Sequence, residues 1–405
     1  MKIRKAYKFR LKPTIEQAQQ LKRIAGHCRF LWNKVLSINL ARLKNHQPLM
    51  WYHEADFWSK LWKSSNEYAF LKEVPAHCLQ QKLKDLDKAF RDAFDKKQTG
   101  KRLPTWRKLK IHNSFRFPEP KHIQLDNRRV KLPKIGWISF FKSQSIQGEL
   151  RNITISQSAN YWYISFQVEL EQVDAISQSM TAIGIDVGIE KFAALSDGKL
   201  IEPVSAFKKW QSRLAKKQKR LAKKQKQSQN FKKQVFRIQK VHRKIAEIRR
   251  DFLHKTSTQL SKNHALIVVE DLKITNMSRS AKGTVEEPGV NVKAKSGLNR
   301  SILDQGFAEF KRQLEYKQTW SGGLFIKVNP KYTSQRCSAC SHTHKDNRIN
   351  RSRFVCQNCQ YSDHADVNAA KNILAAGHAV LACGETGLPD SMKQEPLQNR
   401  EKVAA

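Results

Sequence analysis

The chain has 405 residues, 40% of them hydrophobic, which suffices for two or three domains with a substantial core. Its 76 Lys and Arg against 35 Asp and Glu give a formal net charge of +41, and an excess of that size repels itself unless a polyanion neutralises it, so nucleic acid is the expected partner. A membrane partner is not expected: no apolar run approaches the ~20 residues of a transmembrane helix, and the N-terminal MKIRKAYKFRLKP lacks the apolar core of a signal peptide.

Residues 1–12 alternate, with Ile3, Tyr7, Phe9 and Leu11 among basic residues, which is a strand pattern ended by Pro13. Thr14, with Gln17 three residues on, predicts a capping box and a helix over about 15–45. Its apolar stripe (Leu21, Ile24, Cys28, Leu31, Trp32, Val35) puts Cys28 in the core. Residues 50–98 read as further helices rich in aromatics, among them Trp51, Trp58 and Trp62, whose commonest role is interhelical packing, with stacking on bases as the alternative. The stretch 96–118 is basic with interleaved aromatics and turn residues, as expected of a flexible loop on a phosphate backbone, and Lys101, Arg102, Trp106 and Arg107 are its candidate contacts. Alternation returns over 115–172, strongest in YWYISFQVEL, and predicts a small antiparallel barrel or sheet that the strand at 1–12 joins.

At 181 the character changes. TAIGIDVGIEKFAALSDG reads as a β-hairpin with Asp186 on its first strand. Residues 208–250 carry 18 Lys and Arg and one acid, Glu247, over a helical stripe. Two basic amphipathic helices broken near 226–230 follow, with Lys216, Lys217, Lys223 and Lys224 as candidate nucleic-acid contacts on a basic wall. HALIVVEDL is a buried strand ending in Glu270 and Asp271; a mobile loop is expected over 279–295, then a helix over about 299–318 and a strand, GGLFIKVNPKYT. After Leu374 the chain turns polar, and 375–405 is expected to be a disordered tail.

Between that last strand and the tail stand two CxxC pairs, Cys337 and Cys340, then Cys356 and Cys359, separated by 15 residues. Each pair presents two thiolates to one tetrahedral ion, so the set predicts a closed, structural zinc site, with His342, His344 and His364 surplus to it. The seven cysteines, odd in number, fit a reducing cytoplasm better than a disulfide framework. Seven residues past Cys359 comes Asp366, at the head of a helical ADVNAAKNIL. The order of hairpin, basic helices, acidic strand, helix, strand and acidic helix is that of an RNase H-like fold, in which the first and fourth strands are neighbours. Asp186, Glu270 and Asp366 would then meet, with Asp271 and Asp363 as their nearest rivals. Three clustered carboxylates repel one another without a cation, so they predict Mg²⁺, a hard ion that takes carboxylate oxygens and serves phosphodiester hydrolysis.

The motifs YKFRLKPTIEQ…RFLWN, GIDVGIEKFAALSDG, VVEDLKITNM, LNRSILDQGFAEFKRQLEYKQTWSGG, TSQRCSAC and ADVNAAKNI together resemble the TnpB family of bacterial insertion sequences, related to type V CRISPR effectors. The resemblance runs over nearly the whole chain. It implies an α/β multidomain architecture. A β-barrel wedge domain (1–12 plus 111–178) would be interrupted by a helical recognition lobe (13–110). A RuvC-like nuclease domain (179–374), RNase H-like in fold, would follow, with an inserted four-cysteine zinc ribbon (333–362).

The resemblance further implies an RNA-guided, Mg²⁺-dependent DNA endonuclease with Asp186, Glu270 and Asp366 as its acids and Arg336 assisting at the phosphate. The implied partners are a guide RNA from the transposon end, double-stranded target DNA beside a short adjacent motif, and a separate transposase. The implied location is a bacterial cytoplasm, at the nucleoid. The chain departs from the family at Ser341, where a glycine usually follows the second cysteine. Two rival functions share these features: a nuclease-silent RNA-guided regulator, and a transposase acting directly on element ends.

Overall fold

A computed structural model describes residues 2–98, 100–109, 113–159, 161–171, 179 and 181–383. The chain divides into two compact units, Met1–Val173 and Asp174–Ala405.

In the first unit the alternating N-terminus forms β1 (Lys2–Lys12). The helices α1 (Ile15–Lys44), α2 (Tyr52–Ser64) and α3 (Ala76–Phe94) follow. The strands β2 (Ser114–Phe117), β3 (Gln124–Asp126), β4 (Arg129–Leu132), β5 (Gly136–Phe140), β6 (Glu149–Ser158) and β7 (Tyr161–Glu171) complete it. The capping box is present: Gln17 N donates to Thr14 Oγ1 at 3.2 Å, and Thr14 N donates to Gln17 Oε1 at 3.1 Å. The sheet order is β2-β6-β7-β1-β5-β4-β3, so β1 is central despite coming first. It pairs along β7 from Lys2↔Glu171 to Arg10↔Tyr163 and then with β5 at Leu11↔Phe140. Helices and sheet share one buried cluster, from Tyr7, Phe9 and Phe166 to Leu21, Cys28 and Leu86. Burial pushes the Cys28 thiol up to about 12, as expected of a packing residue.

The second unit is built on β8 (Ala182–Val187), β9 (Ala193–Leu195), β10 (Leu200–Ile201), β11 (Leu266–Glu270) and β12 (Leu324–Val328), in the order β10-β9-β8-β11-β12. Here β8, β9 and β10 form an antiparallel meander, and β11 runs parallel to both β8 and β12. A parallel neighbour needs a long crossover. The basic helices α4 (Ala206–Ala222) and α5 (Gln229–Asn263) provide it between β8–β10 and β11. The short α6 (Ile274–Met277), then α7 (Val292–Gln305) and α8 (Phe307–Ser321), link β11 to β12.

Three expectations are corrected. The helix expected over 299–318 is two helices, because Gly306 adopts φ 75°, a left-handed conformation that ends one helix and starts the next. Of the residues expected in a tail over 375–405, 375–382 are helical: α9 (Ala365–Ala382) includes them, because Ala376, Val380 and Leu381 pack on the sheet. Residues 384–405 lie outside the described residues. The loop expected over 279–295 also ends early, at Asn291, where α7 begins.

Side chains alternate across a strand, so the sheet has two faces. Ile183 and Ile185 of β8 and Ile267 and Val269 of β11 join the cluster containing Leu253, Leu260, Phe310 and Leu314 of α5 and α8. Leu266 and Val268 face the other way, against Ile373 and Leu374 of α9. Gly184, in the same alternation, lies under α9. A Cβ there would stand 2.1 Å from Ala370 O and 2.8 Å from Leu374 N, and one on Gly377 would stand 2.4 Å from a Val268 methyl. The helix can lie this close only because both positions lack a side chain. Gly184→Ala is therefore expected to cost about 1–3 kcal/mol of stability through overpacking. The urea midpoint of the variant measures it, and an unchanged midpoint would contradict the close seating.

Candidate active site and metal centre

The seating of α9 brings the three predicted acids together. Asp186 is two residues past Gly184 on β8, and Asp366 is one turn before Ala370 on α9. Two strand residues span about 6.6 Å and four helical residues about 6 Å, so the contact of Gly184 with Ala370 sets Asp186 beside Asp366. Glu270 ends β11, where the parallel register Val269↔Ile185 continues toward Asp186. Both Asp186 and Glu270 fall on the α9 side of the sheet by the same alternation.

The electrostatics report the convergence. Asp186 keeps a strip of accessible surface but is deeply enclosed. Burial first, then the charges of Glu270 and Asp366, push its carboxyl from 3.8 up to about 8, against the opposing pull of Arg348. Burial also raises Glu270, while a hydrogen bond from Thr333 and the charge of Lys311 act against it. Thr333 Oγ1 donates to Glu270 Oε1 at 2.5 Å. Arg348 Nη2 pairs with Asp366 Oδ1 at 2.6 Å.

The rivals are occupied elsewhere. Asp271 is exposed and faces Lys311 Nζ at 3.4 Å. Asp363 Oδ2 accepts from Lys371 Nζ at 2.7 Å and Tyr361 OH at 2.8 Å, and Oδ1 accepts from His364 N at 2.7 Å. Beside Asp366 opens a cavity of about 420 Å³ lined by Glu190, Lys191, Asn350, Arg351, Ser352 and His364.

The four cysteines form the second centre. Among the described residues they are the group whose ligand atoms all lie within 4.8 Å of one another, and no histidine joins them. The Sγ atoms of Cys337 and Cys359 are 3.7 Å apart and those of Cys340 and Cys356 3.5 Å. Tetrahedral thiolates at zinc's bond length of about 2.3 Å stand about 3.8 Å apart, so the set fits such an ion.

The two knuckles are copies of one turn. Cys337 N and Cys356 N each donate 2.9 Å to a carbonyl five residues on, of His342 and Tyr361. Ser341 N and Gln360 N each donate 3.0 Å back to Cys337 O and Cys356 O. The residue after each second cysteine is left-handed, Ser341 at φ 64° and Gln360 at φ 59°, which is why glycine suits that position. The backbone N–H of His342 leads the contacts that lower the Cys340 thiol to about 6. The ribbon strands β13 (Arg353–Val355) and β14 (Ser362–His364) then lead into α9.

Other predicted residues are placed less centrally. The Arg336 guanidinium donates to Ser341 Oγ at 2.9 Å, and it is Arg348 that reaches an acid. Arg348 sits in the run RINRSR, where no pattern separates it from Arg351 or Arg353. Thr333 opens the TSQRCSAC motif, but nothing in that motif marks it as the partner of an acid on a distant strand. Lys101, Arg102 and Trp106 are exposed, whereas Arg107 lies over the Trp32 ring at 4.0 Å. The stretch holding Trp106 and Arg107, expected as a flexible loop, is pinned to α1: Arg107 N donates to Asn33 Oδ1 at 2.8 Å, and Trp32 Nε1 donates to Thr105 O at 3.2 Å. Lys216 and Lys223 are exposed; Lys217 and Lys224 are half-buried.

Comparison with known proteins shows which family the chain resembles. Residues 165–281 match the OrfB family profile described as "Probable transposase", residues 307–373 a "Cas12f1-like, TNB domain", and residues 1–48 a "Helix-turn-helix domain". The chain is 47% identical to "Putative RNA-guided DNA endonuclease InsQ" of Escherichia coli (strain K12), over 100% of both chains. It is 30% identical to "Putative RNA-guided DNA endonuclease" of Streptomyces pristinaespiralis, over 97% of this chain and 96% of that one. The solved Cas12f1–sgRNA–target DNA complex overlaps 92% of this chain and 99% of its own, at 18% identity and a TM-score of 0.34. The chain belongs to the TnpB family, the OrfB proteins of IS605-type insertion sequences.

Asn347 stitches the two knuckles together. It is fully buried; its Nδ2 donates to Gln335 O at 2.9 Å and His342 O at 3.2 Å, and its Oδ1 accepts from Gln357 N at 2.9 Å. Asn347→Ala should destabilise the ribbon by about 1–3 kcal/mol for each partner left buried without a bond. Amide hydrogen exchange over 335–357 should speed accordingly, and unchanged protection there would contradict the assignment.

Proposed function

We propose that the chain is an RNA-guided, Mg²⁺-dependent DNA endonuclease of a transposable element. It cuts DNA complementary to a guide RNA from the element's end, beside a short adjacent motif. The observation that carries this is the convergence of Asp186, Glu270 and Asp366 on one sheet face, in a chain whose 47% identical relative bears the name of that activity. In this reading the second unit is a RuvC-like nuclease domain with an inserted zinc ribbon, and the first is a wedge barrel with α1–α3 as its recognition lobe. Among the described residues no helix is long and apolar enough to cross a membrane.

Asp186, Glu270 and Asp366 fit a hard divalent cation, because they offer hard carboxylate oxygens and the pull of Arg348 does not offset the burial and like charge that raise Asp186. Mg²⁺ held there supplies an activated water and a stabilised leaving oxygen at the scissile phosphate. Asp186 must give up its proton to serve as a ligand. Arg348 neutralises Asp366, and with Lys191 and Arg351 at the adjoining cavity it can orient the phosphate backbone. Cys337, Cys340, Cys356 and Cys359 hold a structural zinc. The exposed basic residues, including Lys101, Arg102, Lys216 and Lys223, contact backbone, while base pairing with the guide reads sequence. A separate transposase excises the element, and the protein works in the cytoplasm at the nucleoid.

One variant tests the chemistry and its electrostatics together. Between about pH 4 and 8 folded Asp186 holds a proton that the unfolded chain has released, so the Mg²⁺-free protein loses stability as pH rises through that window. Asp186→Asn removes the titration. Its unfolding temperature should therefore gain on wild type as pH rises toward 8 in Mg²⁺-free buffer. With co-purifying RNA and a matching plasmid, the same variant should bind target and not cut it. A variant that still cuts, or wild-type RNA-free strand transfer at element ends, would contradict the proposal.

A further inference from the structure

Glu270 is the last residue of its strand, so the ladder that fixes its backbone stops there. Its side chain has three rotatable bonds, so the strand alone does not fix where the carboxylate points. The hydroxyl of Thr333 holds it, at 2.5 Å from Oε1.

Thr333 is buried, in the segment between β12 and the first knuckle, next to a left-handed Tyr332 at φ 65°. Two asparagines of α9 tie this segment down. Asn372 Nδ2 donates to Thr333 O at 2.9 Å and to Arg336 O at 2.6 Å. Asn368 Nδ2 also donates to Arg336 O, at 2.8 Å, and its Oδ1 accepts from Ser338 N at 3.0 Å, inside the first CxxC turn. Both asparagines are buried, so their bonds are expensive to lose. A continuous set of short contacts thus runs from the cysteine knuckle through two asparagines and Thr333 to the acid on β11.

We propose that Thr333 is a positioning residue for Glu270, and that the cysteine ribbon fixes its place through Asn368 and Asn372 of α9. The ribbon then does more than brace the final helix: its folding sets the direction of a carboxylate on the neighbouring strand. The proposal rests on the reading of Asp186, Glu270 and Asp366 as cation ligands. Hydrogen-bonding partners of ligating carboxylates commonly change cation affinity by roughly ten- to a hundredfold when removed.

The test uses the full chain with its ribbon metal retained and free of RNA, titrated with Mn²⁺ and followed by electron paramagnetic resonance. Zinc content and unfolding temperature are measured alongside. Thr333→Val keeps the shape and removes the hydroxyl; it should weaken Mn²⁺ binding by roughly tenfold or more with zinc content unchanged. Thr333→Ser, which restores the hydroxyl, should bind nearly as wild type. Asn372→Ser, which does not touch Glu270, should also weaken binding and gives a second route should the valine variant fold poorly. Wild-type Mn²⁺ affinity in both Thr333→Val and Asn372→Ser, beside weakened binding in Glu270→Gln, would overturn the inference while leaving the acid site intact. Wild-type affinity in Glu270→Gln itself would overturn the site reading and this inference with it.

Discussion

The close seating of α9 on β8 and β11 is the constraint on which the second unit depends. A helix normally stands off a sheet by the width of the side chains between them. Here Gly184 and Gly377 remove those side chains, and backbone meets backbone and valine directly. The same approach buries Ala369, Ala370 and Ile373, and it draws the first turn of α9 over the ends of two neighbouring parallel strands. Three acids, two of them 84 residues apart in sequence, therefore meet because of two glycines elsewhere in the chain. The register of the helix against the strand, four residues against two, decides that Asp366 and not Asp363 takes the third place.

That convergence is electrostatically unfavourable, and the surrounding residues are arranged around the conflict. Burial and like charge push Asp186 up to about 8. Arg348 answers one carboxylate at 2.6 Å, and Thr333 holds another at 2.5 Å. Both residues come from the segment that carries the cysteines. The two candidate metal centres thus share one segment of the chain: one offers soft thiols, the other hard carboxylates. A net charge of +41 serves the same end on a larger scale, since it draws in the polyanion that the site is built to meet.

Much of this was legible in the sequence where a local rule governs. The capping box at Thr14 and Gln17, the alternation of 1–12, the hairpin bearing Asp186 and the CxxC spacing each follow from short-range chemistry. The acids were legible from the order of elements, which fixes strand neighbours. The rest depends on contacts between distant segments. Gly306 reads as an ordinary interruption in an apolar stripe, yet its left-handed backbone divides one expected helix into two. The last turns of α9, AAGHAVLA, are in fact apolar and pack on the sheet, and only the chain beyond them is polar. Arg107 looked like a free cation until Trp32, 75 residues earlier, took its guanidinium. Arg348 carries no pattern that names it, and TSQRCSAC does not say what Thr333 touches, since both partners are set by where the ribbon is tied down.

Everything proposed for the acid site requires a divalent cation lying among three carboxylates. The most direct measurement is anomalous diffraction from crystals of the protein soaked in Mn²⁺. A strong peak is expected, bounded by carboxylate oxygens of Asp186, Glu270 and Asp366, with a separate zinc peak among Cys337, Cys340, Cys356 and Cys359. A Mn²⁺-soaked crystal with no peak at the three acids, in a lattice that leaves them open to solvent, would contradict it.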